Sequence, residues 1–227
     1  YGLGNHLGWS RFESFLAAFM VAFNFVTLRV SWDLHRNMLG MVILIFTLAR
    51  LAKIRSWRDV AIVAGLSVLT VLAHEAVTAI LLVTVGVMVL ADVFERRFAR
   101  VAKTLLALSP IVLIAVVAWL QMSGLADLGL PRSWIGGAQI VNYSRSISLT
   151  TLEAGSTFVL SYLFLLPICF VGLHRNRILV GWVVASLGLT FSWLVYPHLA
   201  IGLWTRLVFM IVFPVGFFAA KGVVKIA

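Results

Sequence analysis

Long apolar runs separated by short basic clusters dominate this sequence. We count eight runs, and runs of this kind are typical of helices that cross a lipid bilayer, which solvates apolar side chains directly. With 62% hydrophobic and 11% charged residues among 227, the chain has too few polar side chains to cover a water-soluble domain. The sequence therefore predicts an all-α fold, a polytopic transmembrane helical bundle that forms a single domain over 1–227. The predicted segments are 13–31, 34–50, 59–74, 76–91, 104–122, 158–173, 178–195 and 206–221.

Local signals refine this segmentation. Asp33 and the Ser56/Asp59 pair resemble N-caps, and Pro110 is expected within about the first turn of its helix. No strand alternation appears, and the connection 123–157, with its Gly, Pro, Ser and Asn, is predicted to lie outside the membrane. Because the chain begins at Tyr1 without a cleavable signal pattern, we expect it to be part of a longer protein.

The segment 59–91 admits two interpretations. A short helical hairpin with its turn at His74-Glu75 keeps the following basic clusters on the side of the earlier one. One continuous bent helix, roughly 50 Å long at 1.5 Å per residue, would instead move them to the opposite side. The hairpin agrees better with the distribution of basic residues.

That distribution predicts the orientation in the membrane. With eight crossings, 13 of the 18 Lys and Arg residues fall on one side, which the positive-inside rule assigns to the cytoplasm together with both ends of this chain. We therefore expect an integral protein of the cell (plasma) membrane. The net charge of +10 then indicates membrane lipids with anionic headgroups as partners, and no nucleic acid. The sequence indicates no oligomeric state, and a lone Cys169 excludes an intrachain disulfide.

The remaining ionisable residues gather on the predicted outer face. In "RVSWDLHRNMLG", Asp33, His35 and Arg36 form a corner between the first two segments, which is either a capped, locally paired turn or part of a site. His74 and Glu75 stand in the apolar stretch "LTVLAHEAVTAILL", where ionisable groups are costly unless they are paired or face a watery cavity. The alternative for this pair is a hydrogen-bonded turn that holds the hairpin.

The last outer turn adds His198 and Arg206. Arg206 either extends its side chain to lipid headgroups or binds phosphate, for which a guanidinium is better suited than an ammonium. No zinc-protease motif exists, because the position that would need a second His is Thr78. The sequence identifies no cofactor, and a divalent metal bound between carboxylates that are far apart in the sequence stays an open alternative.

Three stretches carry a resemblance to a known family. "LRVSWDLHRNMLGM", "LAHEAVTAILLV" and "LWTRLVFMIVFPVGFFAAKG" are similar to corresponding parts of GT-C superfamily polytopic membrane glycosyltransferases, especially prokaryotic and archaeal members. The resemblance implies transfer of a sugar from a polyprenyl- or dolichyl-phosphate donor at the outer membrane face. Members usually carry a catalytic acidic residue in the first outer loop, and the corner at Asp33 is too short to be that loop. Either that loop lies upstream of Tyr1 or the chain is a non-catalytic relative.

The resemblance also implies roles for the outer residues. A carboxylate would act as general base on the acceptor, and Glu75 and Asp33 are the available catalytic candidates. Cationic and hydrogen-bonding groups would bind the lipid phosphate, for which the candidates are Arg36, Arg206, His35, His198 and His74. Two alternatives stay open: an enzyme like the O-antigen polymerases and ligases, and a non-enzymatic membrane subunit or transporter.

Overall fold

The computed structural model describes residues 2–24, 35–122, 147–173, 176–194 and 204–227, and for a few of them, among them 35–37, 75 and 204–206, it describes the backbone only. These parts of the chain are helical and contain no strand, which confirms the all-α prediction for them. A short 3₁₀ turn covers Ser192–Leu194. The α-helices are α1 (Gly2–His6), α2 (Arg11–Ala22), α3 (His35–Ala52), α4 (Trp57–Ala73), α5 (Glu75–Phe94), α6 (Phe98–Met122), α7 (Ile147–Tyr162), α8 (Leu166–Gly172), α9 (Arg177–Thr190), α10 (Trp204–Phe209) and α11 (Val212–Ile226).

Each of the eight predicted segments overlaps one of these helices or a pair of them, but several boundaries differ. Helix α6 begins at Phe98 instead of 104, and α7 begins at Ile147 instead of 158. The second half of the predicted extramembrane connection is therefore partly helical. The reason lies in packing, because Ala154 of this stretch is fully buried against neighbouring helices.

Three helices among the described residues are long and apolar enough to cross a membrane: Ala76–Phe94, Phe98–Val117 and Leu207–Ile226. A fourth span results if α7 and α8, which meet at an angle of 76°, are taken together. Met38–Ala52 and Arg177–Thr190 are apolar but shorter than the roughly 20 residues that a perpendicular crossing requires. These helices fit an integral membrane protein, and the number of eight crossings stays a prediction.

The helix-start prediction is confirmed at Ser56. Its hydroxyl accepts a hydrogen bond from the Asp59 amide, and the Asp59 carboxylate accepts one from the Ser56 amide, so the two form a reciprocal capping box at the start of α4. Ser10 and Glu13 form the same motif at the start of α2. Asp33 lies outside the described residues.

The prediction for Pro110 was wrong, because this residue lies more than three turns inside α6. A proline there cannot donate to the carbonyl four residues earlier, which belongs to Leu106. The hydroxyl of Ser109 donates to that same carbonyl at 2.8 Å. The helix therefore continues through the proline because the preceding side chain replaces the missing donor.

The helices bury two apolar clusters. One surrounds α11, which packs on α2 and α8; the span Leu207–Ile226, which includes the end of α10 and all of α11, is the most buried of the three candidate spans. The other surrounds α5 and includes residues of α3, α4, α6 and α9. Small residues allow close approach, and a Cβ atom at Gly172 would lie 1.8 Å from the Phe218 carbonyl oxygen.

Contacts between turns define two ends of this bundle. Arg100 of α6 donates to the carbonyl of Ala52, the last residue of α3, at 3.2 Å and lies 3.3 Å from Asp92, near the end of α5. Lys103 donates to the carbonyl of Arg55, just before α4. The last turns of α3 and α5 and the first turns of α4 and α6 thus lie together, and we call this the basic end.

The first turn of α9 joins the basic end, because Arg177 binds the last turn of α5. Helices α3 and α5 run toward this end, whereas α4, α6 and α9 run away from it. At the opposite end α3 passes the α4–α5 junction closely. A Cβ atom at Gly40 would lie 3.3 Å from Cβ of His74 and 3.2 Å from Cγ2 of Val77.

Candidate functional site

Of the site residues predicted on the outer face, which we call the outer group, the structure describes some and leaves out others. Asp33 and His198 lie outside the described residues, so their predicted roles stay untested. His35 and Arg36 are the first two residues of α3, Glu75 is the first residue of α5, and Arg206 lies in α10. For these four residues the backbone position alone is described.

His74 links α4 to α5 as a single extended residue, with φ −164° and ψ 128°. Its Nδ1 accepts a hydrogen bond from the Ala76 amide at 3.1 Å and so caps the start of α5. The carbonyl of His74 accepts the hydroxyl of Thr78 at 3.0 Å. Because Nδ1 acts as an acceptor, the proton of the neutral imidazole is on Nε2, which is therefore a donor.

Arg36 and His74 belong to the same end of the molecule. Gly40 contacts the α4–α5 junction, and Arg36 is four residues before Gly40 on α3, so it occupies the next position on the same helix face. This end is opposite the basic end, because α3 runs from here toward Arg100. The packing thus places the two backbones at one end of the bundle.

Arg206 also lies away from the basic end, because α10 precedes α11, whereas the last turns of α11 contact the end of α8, which is five residues before Arg177 of that end. The last turns of α11 meet the start of α2 and the end of α8, since Lys221 lies 3.8 Å from Glu13 and Lys225 donates to the Val171 carbonyl at 2.9 Å. Helix α10 lies before the other terminus of α11 and packs on α7 and α9. Tyr162 of α7 binds the end of α10, where the chain turns into α11. Its hydroxyl lies within hydrogen-bond distance of the carbonyl oxygens of Val208, at 2.9 Å, and Phe209, at 3.2 Å, and acts as the donor.

At the basic end the structure reveals a cluster that the sequence analysis did not single out. Asp92, whose side chain is 4% exposed, lies 2.7 Å from Nη1 of Arg177, 3.3 Å from Nε of Arg100 and 4.0 Å from Nη1 of Arg97. Arg177 also donates to Glu95, which is 3.0 Å from Nη2 of Arg97. The bond to Glu95 raises the pKa of the Arg177 guanidinium above its ordinary value, so this residue stays charged.

This cluster has a structural role. Its three guanidinium groups compensate two carboxylates, and Arg100 in addition satisfies free carbonyls at the end of α3. It therefore connects α3, α5, α6 and α9. A signal was present in "ADVFERRFAR", because carboxylates in the last turn of a helix oppose its dipole and require cationic partners.

Among the described residues, no group of three or more His, Cys, Asp or Glu side chains is placed to hold a metal ion. Cys169 is buried and donates to the Val215 carbonyl at 3.3 Å, which is a packing role.

Comparisons with known proteins return no relative. No protein-family model matches this chain, and no curated protein or solved structure is significantly similar to it. The resemblance to GT-C glycosyltransferases therefore stays a prediction that rests on the three quoted stretches.

Proposed function

We propose that this chain is an integral protein of the cell membrane that binds the phosphate of a lipid-linked sugar at its outer end. The observation that carries the proposal is the common end occupied by Arg36 and His74, which lie on separate helices and opposite the basic end. Basic clusters are retained on the cytoplasmic side of membrane proteins. The basic end then faces the cytoplasm, together with both ends of this chain, and the outer group faces the other side.

The proposed topology has eight crossings and a hairpin over 59–91. The hairpin is supported by the contacts of its two ends, because α4 begins and α5 ends at the basic end while His74 lies at the other. Cysteine labelling in a Cys169→Ser background tests this arrangement, since serine retains a donor for the Val215 carbonyl. A cysteine at position 58 should react from the cytoplasmic side and Gln139→Cys from the outer side. Labelling of position 139 from the cytoplasmic side alone would contradict the topology.

The proposed chemistry is that of the GT-C glycosyltransferases that the chain resembles. Arg36 and Arg206 would bind the donor phosphate through their guanidinium forks, and His35, His198 and His74 would donate hydrogen bonds to its oxygens. For His74 the donor is Nε2, because Nδ1 is engaged with the Ala76 amide. Glu75 or Asp33 would act as the general base on the acceptor hydroxyl.

The experiment is binding of an undecaprenyl-phosphate analogue to the purified protein. Arg36→Lys and Arg206→Lys should each weaken binding about tenfold, because lysine cannot form the bidentate contact. The exposed Arg11, at the start of α2, supplies a control, and Arg11→Lys should leave the affinity unchanged. Equal affinity in all variants would refute the phosphate site and favour a non-enzymatic membrane subunit.

A further inference from the structure

The basic end carries more positive charge than its ion pairs use. Residues 50–59 and 92–103 together with Arg177 contain nine Lys and Arg against three Asp and Glu. Arg97, Arg100 and Arg177 pair with Asp92 and Glu95. The other six form no ion pair with any described side chain: Arg50, Lys53, Arg55, Arg58, Arg96 and Lys103.

Part of this excess charge forms a surface with exposed aromatic rings. Arg55 precedes α4, and Trp57 and Arg58 are its first two residues; Phe94 is the last residue of α5, and Arg96 lies in the turn that follows. All five are exposed, and we call them the basic-aromatic surface. The ring of Trp57 is 68% exposed and that of Phe94 is 86% exposed. Helix α6 connects these two segments, because Lys103 donates to the carbonyl of Arg55, while Arg100 donates to the Ala52 carbonyl at 3.2 Å and lies 3.3 Å from Asp92 near the end of α5.

The backbone at Arg96 is an independent indication that this surface binds something. Helix α5 ends in a Schellman motif, in which the Arg97 amide donates to the Asp92 carbonyl at 2.8 Å and the Arg96 amide to the Val93 carbonyl at 2.9 Å. This motif places Arg96 at φ 56°, a left-handed conformation that favours glycine. An exposed arginine that forms no ion pair with a described carboxylate weakens the fold at such a position, and its positive charge is what a glycine there would not supply.

We propose that the basic-aromatic surface binds the phosphate groups of anionic phospholipids in the leaflet that meets the basic end. Arginines attract anionic headgroups, and tryptophan and phenylalanine rings occupy the boundary between headgroups and acyl chains. The alternation of charge and large apolar rings on adjacent turns matches this boundary better than it matches a nucleic acid in water. The proposal concerns the end opposite the predicted sugar-phosphate site and does not depend on any activity there.

Native mass spectrometry of the protein in dodecyl maltoside, with added phosphatidylglycerol or phosphatidylcholine, tests the proposal. Phosphatidylglycerol should bind in preference to phosphatidylcholine and should raise the thermal midpoint, since a ligand that binds only the folded state stabilises it. Each arginine replaced by glutamine should weaken binding about fivefold, so the triple variant of Arg55, Arg58 and Arg96 should bind about a hundredfold more weakly.

Arg96→Gly separates binding from folding. It should raise the thermal midpoint by about 2 °C, because glycine adopts the left-handed conformation freely, and still weaken phosphatidylglycerol binding like Arg96→Gln. Arg11→Gln removes one positive charge outside this surface, as Arg96→Gln does within it, and should bind the lipid like the parent. The variant in which Arg55, Arg58 and Arg96 are all replaced by lysine keeps the charge and should retain most of the affinity. Equal binding of both lipids, undiminished binding by the triple glutamine variant, competition by millimolar inorganic phosphate alone, or binding of RNA in place of lipid would each overturn the proposal.

Discussion

Arg177, the first residue of α9, holds the buried carboxylate of Asp92 at 2.7 Å, although 85 positions of the chain separate them. This pair fixes the start of one helix to the end of another. A buried carboxylate is stable only when its charge is compensated, and Arg100 and Arg97 complete that compensation.

Replacing Asp92 should therefore destabilise the bundle strongly. We expect Asp92→Asn to lower the free energy of unfolding by about 3 kcal/mol, because it leaves three guanidinium groups without their buried partner. Glu95→Gln is the matched control; Glu95 is 42% exposed, and its loss should cost about 1 kcal/mol or less. Denaturation of both variants in mixed detergent micelles measures the difference, and a smaller effect at Asp92 than at Glu95 would contradict it.

The start of α4 should depend on pH through Asp59. Hydrogen bonds from the amide and hydroxyl of Ser56 and from the amide of Arg55 lower the pKa of Asp59 from 3.8 to about 2. The stabilisation by this ionised carboxylate is complete above pH 4 and is lost as the pH falls toward 2. Protection factors for amide hydrogen exchange in the first turn of α4, which correct for the intrinsic pH dependence of exchange, should fall over this range in the parent, and less in Asp59→Asn, which has no titrating group there. An equal fall of the protection factors in both proteins would assign the change to other carboxylates.

Ser109 should be important only because Pro110 follows it. Ser109→Ala removes the donor to the Leu106 carbonyl and should cost about 1 kcal/mol or more of unfolding free energy. In a Pro110→Ala background the backbone can donate to that carbonyl again, so the same substitution should cost less. A double-mutant cycle measures this coupling.

Ser156 provides the control for this cycle. Its hydroxyl donates to the Glu153 carbonyl at 3.0 Å inside α7, where no proline removes a donor. Ser156→Ala should therefore be nearly neutral. Additivity between Ser109→Ala and Pro110→Ala would show that the serine does not replace the missing donor.

The crossing of α8 and α11 should not tolerate a methyl group at Gly172. Its Cβ atom would lie 1.8 Å from the Phe218 carbonyl oxygen and close to the backbone of Gly222, so the two helices would have to separate. We expect Gly172→Ala to cost at least about 2 kcal/mol. Gly188→Ala in α9 is the control, because nothing lies within 4 Å of its Cβ position and alanine favours helix, so this variant should be neutral or slightly stabilising. Thermal unfolding of the two variants in detergent should separate them.

Local features were predictable because their cause is local. Apolar runs indicated helices, and the all-helical prediction is confirmed for the described residues. Ser56 was recognisable as a cap because serine three residues before an acidic residue satisfies free amides at a helix start. His74 was recognisable as the boundary between α4 and α5, because it interrupts an apolar stretch.

Other features depend on neighbours that the sequence does not identify. Taken by itself, Pro110 is typical of a helix start. It lies inside α6 because the hydroxyl of Ser109 replaces the missing donor and the helix continues to pack beyond it. Asp92 and Arg177 are each ordinary members of a charged cluster in the sequence. Their pairing exists because α9 packs on α5, and this packing is close because Gly181 has no side chain: a Cβ atom there would lie 3.1 Å from the Thr84 carbonyl oxygen.

The sequence by itself determined the helical character of this protein, its affinity for a membrane and the unequal distribution of its charges, because hydrophobic burial and backbone hydrogen bonding act along short stretches. Only the tertiary structure decided which helices meet. It brought the turns after α3 and α5 and the start of α9 to one end, and it placed Gly40 of α3 against His74 at the other. The reason is that contacts between helices depend on the fit of surfaces from distant parts of the chain, and this fit is not encoded in any single segment.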